Sequence, residues 1–190
     1  WTSPVAVPSK AESVVLLQSL RSLVAVNAKT GKQVWEYKAR GGGIPSASVR
    51  GSRVFLPSAG LKALEISSKP EAPSEVWEAR RLRSGTASPL LSGDKVYTLA
   101  DPILKCGYAE SGDIVWQLRL EGKFSATPVP SGKHLYAFNE KGLGLVIETG
   151  SEGKIVSRCD MKEPILASPA VSDGALFVRS DGKLWKISGS

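Results

Sequence analysis

The sequence predicts an all-β fold, a partial β-propeller of four-stranded antiparallel blades, and three observations carry that expectation. A hydroxyl residue, usually followed by Pro, recurs at Ser3, Ser46, Ser88, Thr127 and Ser168, at spacings of 43, 42, 39 and 41 residues. A period of that size marks repeat architectures. Each interval holds short alternating apolar runs bounded by Gly-containing turns, not the 3.6-residue periodicity of helices. Trp35, Trp77 and Trp116 recur in step with the anchors, and Ser157 stands at the next equivalent place.

The elements follow in order within each unit. The anchor opens a first short strand. A Gly-containing turn and a second run come next, at 51–56, 93–99, 132–138 and 174–178, the pattern of a tight hairpin. A third run begins with Leu at Leu23, Leu61, Leu104, Leu145 and Leu184, and a fourth carries the Trp. The units are 1–43, 44–85, 86–124, 125–165 and 166–190, which gives four complete blades and a fifth with three strands, 19 strands in all. A twisted four-stranded meander at this period is a propeller blade. A β-sandwich accounts for many strands but not for the regular repeat.

Composition bounds the function. The chain has 190 residues, 42% hydrophobic and 23% charged, enough to bury a core without disulfide or metal staples. No apolar run nears the ~18 residues of a membrane span. Cys106 and Cys159 are 53 positions apart, with no CxxC spacing, and are expected as two free, buried thiols. The single histidine, His134, takes the hairpin position held by Arg53 and Lys95 in sister units, so it reads as a surface residue beside a turn. No zinc spacing, phosphate loop or calcium loop is present, and neither 41–43 nor 142–144 opens a helix. No catalytic residue and no cofactor are expected. The net charge of +7 is scattered over all units, with aromatic residues at packing positions, which argues against a nucleic-acid surface.

At the turn between its third and fourth strands the first unit reads Ala25-Val-Asn27-Ala-Lys-Thr30-Gly31-Lys-Gln-Val-Trp35. This resembles the tryptophan-docking motif of PQQ-repeat, quinoprotein-like propellers, with Asn27 in place of Asp. The third unit keeps the spacing from Cys106 through Ser111 and Gly112 to Trp116 but departs at its first two motif positions; the second lengthens the turn before Trp77, and the fourth has lost its Trp. Gly suits a tight turn, the hydroxyl residue can bond local backbone, and Trp offers an apolar face to the seam with the next blade.

The resemblance covers the whole chain, and the family spans enzymes, outer-membrane assembly scaffolds and sensor domains. It implies seven or eight blades, so the chain reads as the C-terminal part of a longer ring, with a five-bladed ring lacking one strand as the alternative. It also implies a periplasmic or cell-envelope setting and a non-catalytic scaffold that binds protein. A ligand-sensing domain and a PQQ-dependent dehydrogenase are the rivals; the latter needs a calcium-bound quinone and a catalytic Asp, for which no match is found. Self-association through an open blade edge is a further expectation.

A meander puts the first-to-second and third-to-fourth turns on one side of the ring and the other two connections on the opposite side. The latter side carries the larger cation excess, with Arg40 and the run Arg80, Arg81 and Arg83, where planar guanidinium groups can grip an acidic ligand. Lys10 and Glu12 count toward the first side.

Overall fold

The computed structural model describes residues 2–7, 13–67 and 69–189; Lys10 and Glu12 lie outside the described residues. The first sheet runs β1 (Val5–Val7), β2 (Val14–Gln18), β3 (Ser22–Asn27) and β4 (Gln33–Lys38), each antiparallel to the one before it. The second repeats the order with β5 (Ser48–Arg50), β6 (Arg53–Pro57), β7 (Leu61–Glu65) and β8 (Ser74–Ala79). The third holds β9 (Leu90–Ser92), β10 (Lys95–Ala100), β11 (Ile103–Tyr108) and β12 (Ile114–Arg119). The fourth holds β13 (Val129–Ser131), β14 (His134–Phe138), β15 (Leu143–Thr149) and β16 (Gly153–Asp160). The fifth has three strands, β17 (Ala170–Ser172), β18 (Ala175–Arg179) and β19 (Leu184–Ser188). Among the described residues there is no helix.

The sheets stack face to face as propeller blades, and four apolar clusters fill the four seams. Leu23, Ala25 and Trp35 meet Val54, Leu56 and Leu64 in the first seam. Phe55, Leu61 and Ala63 meet Leu82 and Val96 in the second. Tyr97, Leu99, Leu104 and Trp116 meet Leu135, Ala137, Leu145 and Ile147 in the third, and Phe138 meets Leu176 and Val178 in the fourth. Side chains alternate between the two faces of each strand, so both faces of an internal blade are buried.

The anchors are joined by a ladder across the blades. The Ser3 N–H donates to Ser46 Oγ at 2.9 Å, Ser46 N–H to Ser88 Oγ at 3.0 Å, Ser88 N–H to Thr127 Oγ1 at 2.9 Å and Thr127 N–H to Ser168 Oγ at 2.9 Å. Each repeated hydroxyl from Ser46 onward therefore satisfies a main-chain donor of the preceding blade. Every complete blade also carries a β-bulge between its third and fourth strands, where Val34, Val76, Val115 and Val156 have no opposite residue. The extra residue raises the local twist just before the Trp position.

Two sequence expectations are corrected. Cys106 is buried, but Cys159 is exposed, because it lies on β16, the outer strand of the fourth blade, where residues 156–160 are exposed on both faces; both thiols are free. The run starting at Leu145 is also one residue out of step with its sisters. Leu104 pairs with Leu99 and faces the next blade, whereas in the fourth blade Gly144 holds that place opposite Phe138 and Leu145 faces backward opposite Ala137. A Cβ on Gly144 would stand 2.8 Å from the Phe138 ring, so the large ring fills the space of the missing leucine. A shift of one residue exchanges the two faces of a strand.

Candidate partner-binding face

The turn motif builds local structure in the first blade. Asn27 Oδ1 accepts from the N–H groups of Lys29 and Thr30, Gly31 N–H donates to Asn27 O, and Thr30 Oγ1 accepts from Lys32 N–H at 3.3 Å. Gly31 and Gly112 have φ of 69° and 76°, a region open mainly to glycine. Trp35 is buried in the first seam, Trp77 Nε1 donates to Ala109 O at 3.2 Å, and the Trp77 and Trp116 rings lie on Gly112 and Gly153 of the following blades. Ala25 pairs across the sheet with Trp35. These residues pack in separate seams between neighbouring blades.

The connection from the second to the third blade is fixed at several points. Leu82 is fully buried in the second seam and its N–H donates to Ala79 O at 3.1 Å, while Gly85 N–H donates to Leu99 O at 2.8 Å. Arg80, Arg81 and Arg83 are exposed around this buried leucine. No ion pair within the described residues involves them. Arg40 is exposed on the connection one seam earlier, so it stands apart from the other three.

A cation missed in the sequence completes the group. Lys105, on β11, donates from Nζ to Arg81 O at 2.7 Å. Burial lowers its pKa, and the nearby Arg81 and Arg83 charges lower it further. The signal for it was the repeated pair Leu61-Lys62 and Leu104-Lys105. Several acids on the same side are already engaged: Glu163 pairs with Lys183 at 2.5 Å, Asp101 Oδ1 accepts from Phe124 N–H, and Glu140 Oε1 accepts from Ser125 Oγ.

On the opposite side three shallow clefts of about 410, 310 and 320 Å³ open along seams. The first lies beside Asp94, Lys95, Tyr108 and Thr149, with the Lys95 ammonium 2.6 Å from Asp94 and 4.0 Å above the Tyr108 ring. The second holds Arg53, which bridges Glu65 and Glu110 across two blades. His134 is half-buried in β14. Among the described residues no three His, Cys, Asp or Glu side chains gather in a group that could hold a metal ion. No helix of the described residues is long and apolar enough to cross a membrane.

A family model described as outer membrane protein assembly factor BamB matches residues 1–97, 69–151 and 109–190. Among solved structures, BamB from Moraxella catarrhalis superposes with a TM-score of 0.71 at 18% identity, over 92% of this chain and 55% of that one. The chain thus spans about half the length of that relative. No curated protein matches.

Proposed function

Since the chain belongs to the PQQ-repeat propeller family whose model is described as outer membrane protein assembly factor BamB, we propose that it is a non-catalytic scaffold of the bacterial cell envelope that docks a protein partner on its basic loop face. The observation that carries this reading is the set of exposed, unpaired guanidinium groups of Arg80, Arg81 and Arg83, held on a loop pinned by the buried Leu82. A rigid loop presents charge without an ordering cost at binding, and charge complementarity steers the encounter. The proposed location rests on the family, and the proposed face on the loop.

The test is site-specific photo-crosslinking of the full-length protein in its native cells, with the photoreactive residue at Arg83 on the loop face or at Asp173 on the opposite side. The expected result is a protein adduct in the envelope fraction from the first position and none from the second. Saturable quenching of intrinsic fluorescence by PQQ with calcium, together with quinone-dependent dehydrogenation, would overturn the scaffold reading in favour of an enzyme.

A further inference from the structure

Lys62 and Lys105 hold the same place in consecutive blades, each directly after the repeated leucine (Leu61 or Leu104) of its third strand and each facing the preceding blade. Lys62 pairs across the sheet with Glu78, and its ammonium lies 2.6 Å from Glu75 and 3.4 Å from Glu78. Tyr37 of the first blade donates its hydroxyl to the same Glu75 at 3.0 Å. Burial works against the Lys62 charge, yet the hydrogen bond to Glu75 and the surrounding negative groups leave its pKa above the ordinary value.

One blade later the cation is kept but its carboxylate partners are gone, and the Lys105 ammonium donates to Arg81 O instead. Register puts Gln117 opposite Lys105, where Glu78 stands opposite Lys62. It puts Ile114 opposite Gly107, where Glu75 stands opposite Leu64. Ala79 takes the place of Tyr37, two residues beyond the tryptophan. In exchange Arg81 and Arg83 arrive from the loop, close enough for their charges to act on Lys105. Three cations therefore share one seam, and among the described residues none of them has a carboxylate ion pair such as Lys62 has in the neighbouring seam.

We propose that Arg81, Arg83 and Lys105 form a carboxylate-binding site that takes paired acidic side chains from a segment of a partner protein. The second blade shows the chemistry accepted at this position: two carboxylates three residues apart on one strand, converging on one ammonium. Lys105 offers the same ammonium, and the two guanidinium groups add planar donors suited to carboxylate oxygens. The site rests on the scaffold reading only in that the acidic segment belongs to a protein.

The experiment uses the purified protein and a fluorescein-labelled oligoglutamate peptide followed by anisotropy, with an oligoglutamine peptide of equal length as control. Saturable binding of the glutamate peptide alone, weakening as salt rises, is expected. The double variant Arg81→Ala, Arg83→Ala and the single variant Lys105→Gln should each bind roughly tenfold more weakly. Gln117→Glu restores an internal partner for Lys105 and should also weaken binding while leaving the urea midpoint at least as high as that of the parent. Unchanged affinity in these variants, equal binding of oligoglutamine, or displacement of the peptide by inorganic phosphate more readily than by free glutamate would overturn the site. Failure here with a loop-face crosslink retained removes the carboxylate site and keeps the scaffold. Peptide binding without any protein adduct does the reverse.

Discussion

The six-membered ring of Trp116 occupies the space where Gly153 would carry a side chain: a Cβ there would stand 2.6 Å from Cζ3 of the indole. Trp77 and Gly112 repeat the relationship one seam earlier, at 2.8 Å from Cε3. A tryptophan at the outer strand of one blade thus docks on a glycine at the start of the next blade's outer strand or in the turn just before it. Gly153→Ala is expected to destabilise the protein by about 1–3 kcal/mol through overpacking. Gly112→Ala should cost more, because its φ of 76° adds backbone strain to the clash. Gly132→Ala, with positive φ but open space around it, should show the backbone cost alone. Urea unfolding of the three variants separates the contributions.

The anchor ladder makes a second expectation. Ser88→Ala leaves the Ser46 N–H without its acceptor, and Thr127→Val does the same to the Ser88 N–H. Each should lower stability by about 1–3 kcal/mol, the cost of a stranded donor, whereas Ser88→Thr keeps the hydroxyl and should cost little. Amide exchange at Ser46 should quicken in Ser88→Ala before any global change is seen. Unchanged exchange there would show that the hydroxyl is not what protects that amide.

The two thiols should separate by reactivity. Cys159 is exposed and Cys106 is buried in the third seam, opposite Tyr97 in the sheet, with burial pushing its thiol up to about 11. The thiolate is the reactive form, so Cys106 is shielded by both access and charge. A disulfide reagent added to the native protein should consume one thiol quickly, and the second only after unfolding. Cys159→Ser should remove the fast phase entirely.

Alkaline pH should weaken the fold through the same seam. Burial raises Cys106 from 9.0 to about 11 and Tyr97 from 10.0 to about 12, so the folded state favours the neutral forms. The unfolded chain releases these protons first. Their stabilisation is therefore complete below about pH 9 and is lost as pH climbs toward about 11 and 12. Cys106→Ala places there the residue found at Ala25 and Ala63, and should flatten the fall in urea midpoint between about pH 9 and 11. A slope identical to that of the parent would mean that the Cys106 thiol titrates as it does in the unfolded chain.

The five anchors, the Leu-led third strands and the turn from Asn27 to Trp35 were legible because blade geometry is local. A hairpin register, a positive-φ glycine and alternating burial repeat wherever the same short pattern repeats. The slip at Gly144 and Leu145 was not legible in the same way. Both residues suit a strand, and only the bulk of Phe138 against the fifth blade decides which one faces forward. The exposure of Cys159 likewise depends on what lies beside β16, which its own neighbours in sequence do not specify.

For the basic face the division is similar. The sequence alone determined the blade pattern, the side on which each connection emerges, and the presence of Arg80, Arg81 and Arg83 on one connection, since these follow from strand order and composition. Only the tertiary structure decided that Leu82 buries itself between those arginines, that Lys105 reaches Arg81 O, and that the acids paired with Lys62 have no counterpart beside Lys105. Those facts depend on which faces of two blades meet across a seam. Electrostatic pairing is set by distances of a few ångströms between residues far apart in the chain, and folding, not spacing, fixes those distances.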